Sequence, residues 1–170
     1  MTPGGWLAAL LLIAVPGVAD PAVAPAEKLA AASFAPWHGQ WAGEGTAFGQ
    51  PATATLLIGP AHRDGATRLY YALAIDGAQP VRYFAQGLYR VDAKRRVTGT
   101  WTDSYGAKRP VAGVLDTGKW AVHWGAADSE IGRSTYVLES GDRLVVTDSV
   151  LQDDGSWRVF ATLDYRRQKP

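Results

Sequence analysis

From Trp37 onward, apolar and polar side chains alternate with a period of two, in short runs separated by turn residues. Successive strand side chains point to opposite faces, so the pattern predicts strands with one buried and one wet side. The first run is the clearest. Trp37, Gly39, Trp41, Gly43 and Gly45 fall on one side, and His38, Gln40, Glu44 and Thr46 on the other. Indole rings alternating with glycine suit a strand that bends sharply, or one that another backbone or a ligand approaches closely. Ala52–Ile58 then aligns Ala54, Leu56 and Ile58, and Arg68–Asp76 aligns Leu69, Tyr71, Leu73 and Ile75. Val81–Val91 aligns Val81, Tyr83, Ala85, Gly87 and Tyr89, while Arg96–Asp103 aligns Val97, Gly99, Trp101 and Asp103. Lys119–Gly125 aligns Trp120, Val122 and Trp124, and Arg143–Leu151 aligns Leu144, Val146, Asp148 and Val150. The last run, Trp157–Tyr165, aligns Trp157, Val159, Ala161, Leu163 and Tyr165. Lys108–Leu115 and Ile131–Glu139 also read as strands, but their alternation is too broken to assign an inward side.

Turn signals punctuate these runs: Gly59-Pro60, Asp76-Gly77, Tyr105-Gly106, Thr117-Gly118, Ser140-Gly141 and Asp154-Gly155. Connections this short join antiparallel neighbours, since parallel strands need long crossovers. The pattern therefore predicts an all-β fold of ten strands. Each assigned strand has a single apolar face, so the sheet needs a cover, and rolling it into an up-and-down antiparallel β-barrel supplies one while removing the open edges. A two-sheet sandwich would use the same alternation.

The opening residues break the pattern. Trp6 to Val15 is an apolar run, no charged side chain precedes Asp20, and Gly17-Val18-Ala19 closes the run with small residues. The run is too short for a permanent span and fits a secretory signal peptide over residues 1–19. Residues 20–33 read as a Pro- and Ala-rich linker ending in a short N-terminal helix over Glu27–Ser33, the barrel domain as 34–167 and the tail as 168–170. The expected location is the bacterial periplasm or beyond, with no membrane span in the mature chain.

Composition narrows the function. A chain of 170 residues suits one domain. Its net charge of +1 offers no broad field for nucleic acid, so no nucleic-acid partner is expected. It has no cysteine, which excludes disulfides, a thiol nucleophile and Cys-based metal sites.

The motif Gly39-x-Trp41-x-Gly43-x-Gly45-Thr46 resembles the opening of the calycin barrels, which include lipocalins, fatty-acid-binding proteins and the nitrobindin group. With Trp101-Thr102-Asp103-Ser104, Thr147-Asp148-Ser149 and the closing Trp157-x-x-Phe160…Tyr165-Arg166-Arg167, the chain is most similar to a lipocalin-like family of bacterial proteins. The likeness covers about residues 34–167. It implies a calycin-like barrel with a ligand cavity. For the nitrobindin group it also implies haem held by a barrel histidine. Yet His38 and His123 fall on the polar side of their strands and His62 in a loop. No cofactor is therefore expected, haem included.

The inward faces supply the candidate site. Trp41, Tyr71, Tyr83, Trp101, Trp120, Trp124 and Trp157 are expected to line a cavity for a small hydrophobic ligand, lipid-like or aromatic. Asp103 and Asp148 share that face, and an inward carboxylate must be hydrogen-bonded, paired or shifted toward neutrality. Asp148 would anchor the polar end of the ligand, or serve stability alone. Asp103, at a strand end, would otherwise cap a turn with Ser104. No metalloprotease motif, phosphate loop or nucleophile elbow occurs, so binding without catalysis is expected. The alternatives are a filled barrel that contacts a partner in the cell envelope, and a haem-binding protein.

Overall fold

In the computed structural model of this chain, residues 33–62, 65–126 and 129–169 are described. The expected signal peptide and linker lie outside them, as does all of the expected N-terminal helix except Ser33. The described part opens instead with a single 3-10 turn, Ala35–Trp37.

Ten strands follow: β1 (Gly39–Ala47), β2 (Gln50–Pro60), β3 (Thr67–Ile75), β4 (Val81–Val91), β5 (Arg96–Asp103), β6 (Lys108–Asp116), β7 (Lys119–Trp124), β8 (Gly132–Ser140), β9 (Arg143–Leu151) and β10 (Trp157–Arg167). Each pairs antiparallel with the next, and β10 returns to β1, so the sheet closes on itself as an up-and-down barrel. Closure leaves one interior and no sandwich.

The glycines of β1 show why this strand opens the barrel. A Cβ on Gly43 would lie 2.5 Å from the Tyr165 ring, and one on Gly45 would strike the carbonyl oxygen of Thr162 on β10. The bare backbone lets β1 and β10 seal with an aromatic ring laid across the seam.

The interior divides into two halves along the barrel axis. At one end, the plug end, the chain enters through Phe34 and Trp37 and the interior is filled. Trp120 stacks on Tyr136 at 4.2 Å and meets Tyr89 edge-on at 4.7 Å, and Phe34 meets Trp120 edge-on at 4.9 Å. Trp41 donates its indole N–H to the carbonyl of Trp37 at 3.0 Å. Arg167 lies 4.1 Å from the centroid of the Trp41 ring, donates to the carbonyls of Pro36 (2.8 Å) and Gly141 (2.6 Å), and also bonds that of His38. This single guanidinium ties the last strand, the entering segment and the β8–β9 turn together. At the other end, the rim, the β1–β2, β3–β4, β5–β6, β7–β8 and β9–β10 connections surround open space.

Three strands depart from simple alternation. β6 turns Arg109, Val111 and Leu115 inward, and β8 turns Gly132, Ser134 and Tyr136 inward, which assigns the two faces the sequence leaves open. In β10 the register with β9 shifts between Val159 and Ala161. Ala161, Leu163 and Tyr165 point inward as expected, but the extra residue reverses the strand before it. Trp157 is therefore not a lining residue. Its ring packs on the outside, 4.5 Å below the Arg133 guanidinium and 5.7 Å from the exposed His123.

Candidate functional site

The rim half of the barrel holds a cavity of about 310 Å³. Its size falls at the lower end of the roughly 300–1,000 Å³ of small-molecule sites. Tyr71, Tyr83, Trp101, Trp124 and Asp148 line it, as the inward alternation of their strands requires. Trp41 and Trp120 point inward too, but they belong to the plug half and do not reach the cavity. Strand parity tells which side a residue faces; it carries no information about height along the axis. That distinction separates these two rings from the others.

Asp103 takes part without lining the space. Its side chain is only 4% exposed and makes an ion pair with Arg109 at 2.8 Å. Its other oxygen accepts the backbone N–H groups of Tyr105 and Ala107, each at 3.0 Å, and so caps the β5–β6 turn. Burial alone would raise this carboxyl. The hydrogen bond from Arg109 and those from the turn outweigh it and hold Asp103 below the usual carboxylate range. Trp101 donates to the Tyr83 hydroxyl at 3.0 Å, which in turn lies 3.4 Å from Asp103. Burial raises the Tyr83 hydroxyl to about 12, so it stays protonated. Arg109 does line the cavity, its guanidinium 5.7 Å from the Trp124 ring centroid.

Asp148 sits deeper. β9 carries it directly across from Ser134 on β8 and Ala161 on β10. Burial pushes its carboxyl up to about 6, and a hydrogen bond with Ser134 offsets part of that rise. Trp124 donates its indole N–H to Ser134 Oγ at 3.1 Å, which leaves the serine hydroxyl proton for the carboxylate. Around Asp148 stand the hydroxyls of Tyr71, Tyr89, Tyr136 and Tyr165, all kept neutral chiefly by burial and further by the charge of Asp148. Tyr165 Oη is buried, with the Tyr71 hydroxyl beside it as its one interacting neighbour and no well-formed hydrogen bond; Trp37 Nε1 and Trp120 Nε1 in the plug are buried without a partner among the described residues as well. A buried polar atom without a partner is rare enough to call for an explanation.

The sequence misses several wall residues. Phe48 and Phe160 close part of the rim, stacked at 5.1 Å. Phe48 lies in the β1–β2 turn and Phe160 at the bulge, so no alternation points to either. Tyr105 and Glu130 reach the cavity from rim connections, and Arg109 and Ser134 from the two strands of unassigned facing. None of the three histidines lines the cavity: His38 contacts Thr67 Oγ1 at 3.3 Å, His62 is exposed in the β2–β3 connection, and His123 is exposed on the outer face.

No protein-family model and no curated protein matches the chain. Solved structures do. Rv2717c from M. tuberculosis superposes with a TM-score of 0.60 at 14% identity, over 80% of this chain and 95% of that one. The S-type phycobiliprotein lyase CPES from Guillardia theta superposes with a TM-score of 0.56 at 12% identity, over 81% of this chain and 91% of that one. At such identities the likeness is one of fold: this chain is a closed, ten-stranded, calycin-like barrel.

Proposed function

We infer that this barrel binds a small, largely apolar molecule in its rim-side cavity and does not transform it. The observation that carries the reading is the division of the interior. The plug half is packed with rings, whereas the rim half holds about 310 Å³ walled mainly by aromatic and aliphatic side chains around one half-buried, inward carboxyl. A barrel built only for stability has no need to leave that space open, since filling it with side chains would bury more apolar surface. Asp148 and Tyr165 give the ligand a polar end to match. Asp103 is tied to Arg109 and to its own turn, so the two inward acids do not form a free acid/base pair.

Export to the periplasm belongs to this reading through the apolar opening run, and the lipocalin-like likeness of the sequence agrees with it. No cofactor is needed, and haem finds no histidine in the cavity wall. A neighbour named as a phycobiliprotein lyase gives the fold an enzymatic precedent, but its chemistry is not assigned to this chain.

The test is native mass spectrometry of protein purified without detergent, together with quenching of tryptophan emission by apolar ligands. Trp101 and Trp124 sit in the cavity wall and would report occupancy. A barrel that is always empty, with emission unmoved across a panel of lipids, indoles and phenols, would end the reading.

One observation favours a second role, contact with an envelope partner. Leu57 and Tyr70 pair across β2 and β3 on the outer face, and Phe84 lies on adjacent β4; all three are exposed. Clustered exposed apolar side chains mark interaction surfaces more often than scattered ones do.

A further inference from the structure

The charges inside the cavity do not balance, and the imbalance has a sign. Among the described residues, the charged groups that line it are Arg109, Glu130 and Asp148. Arg109 is neutralised by Asp103 at 2.8 Å. Glu130 stands at the rim. Asp148 has Ser134 as its hydrogen-bond partner and no ion pair among the described residues. The groups that face it are Tyr71 from β3, Tyr89 from β4, Tyr136 from β8 and Tyr165 from β10, all neutral phenols. The walls from β2 and β7 contribute Leu56, Val122 and Trp124, none of which titrates. One negative charge is thus left unmatched in the deep part of the cavity.

We propose that the occupant is a small organic cation, a primary amine carrying an aromatic or branched apolar body, with its ammonium on Asp148. The proposal rests on the cavity reading above and names the ligand class within it. Three features agree. A carboxylate set deep in a mainly apolar wall without a counter-charge is costly, and a cation removes that cost. The rings around it present electron-rich faces, which attract ammonium groups. Tyr165 Oη, buried with only the Tyr71 hydroxyl beside it, keeps a lone pair for an ammonium N–H that Asp148 does not use. A carboxylate ligand would meet Asp148 and Glu130 with the wrong sign. A neutral alcohol would fill the space and leave the charge unmatched.

Titration calorimetry of the full chain with phenethylamine, phenethyl alcohol and 3-phenylpropionate separates these cases, because the three share one body and differ in charge. At about pH 7.5 the amine is expected to bind roughly thirtyfold more tightly than the alcohol, a moderate value for a desolvated charge pair, and the carboxylate most weakly. In Asp148→Asn the amine should lose its advantage and bind no more tightly than the alcohol does. A second measurement needs no variant: lowering the pH to about 5 protonates most Asp148 and should weaken the amine about tenfold but not the alcohol. If alcohol or carboxylate binds the native barrel as well as the amine does, the cation is refuted and the cavity reading stands. If none of the three binds, the cation is refuted, and the wider panel of lipids, indoles and phenols decides the cavity reading.

Discussion

Phe48 and Phe160 stack at the rim with centroids 5.1 Å apart and ring planes 17° apart, one from the β1–β2 turn and the other from the bulge of β10. The stack has a conformational cost. Phe48 and Gly49 both have positive φ, 51° and 75°. That backbone suits Asn-Gly in a tight hairpin, and a bulky residue there is strained by about 1–3 kcal/mol.

Phe48→Asn should therefore leave the fold as stable or raise it by about 1 kcal/mol, since relief of strain opposes a lost aromatic pair of about 0.5–1.5 kcal/mol. Ligand release should quicken, because part of the rim is gone. Urea denaturation and stopped-flow fluorescence read the two effects. A clear loss of stability would show that the stack, rather than the turn, dominates.

Tyr165→Phe should stabilise the empty barrel by about 1 kcal/mol, because it deletes a buried hydroxyl that forms no well-made hydrogen bond. Ligand affinity should drop in the same variant. Stability gained at the expense of binding is the signature of a group kept for function. A melting temperature that falls would mean the hydroxyl is satisfied in the native state.

Asp148 predicts an unusual pH profile. Its folded carboxyl is raised from 3.8 to about 6, so between those values the native state holds the proton more strongly than the unfolded chain. Its stabilising contribution is full below the unfolded value and is lost as pH rises through about 6, a change of about 3 kcal/mol. Comparing the pH dependence of stability for the native protein and Asp148→Asn isolates the effect. The variant should gain on the native protein as pH climbs from about 4 to about 7.

Asp103 has the opposite sign. Its carboxyl is lowered, so its contribution is present at neutral pH and is lost as pH falls through its folded value. Asp103→Asn should cost about 2 kcal/mol at neutral pH, less than a fully buried pair because Arg109 remains partly exposed. Circular dichroism melts at neutral and acid pH should show that deficit shrinking toward acid.

The strand order, the barrel and the strand limits to within about two residues can be read from the alternation and the short turns. The cavity is legible only in part, for a physical reason. Arg109 and Ser134 are polar side chains that face inward, and they break the alternation of β6 and β8. Polar residues turned inward blur a pattern set by burial. Trp157 was lost differently: one inserted residue at the bulge reverses everything before it, and no periodicity announces an insertion. Trp41 and Trp120 face the expected way, but their depth depends on the plug at Phe34 and Trp37, which lies before the first strand.

Arg167 fastens the entering segment, the last strand and the β8–β9 turn at one pole of the barrel. The opposite pole carries none of that fastening. Connections there are held one at a time, as Asp103 holds the β5–β6 turn, so a change in one is expected to leave the staves in register. A scaffold so arranged separates what must be inherited unchanged from what selection can vary, and a library randomised at Phe48, Tyr105 and Glu130 would explore new specificities on a constant frame.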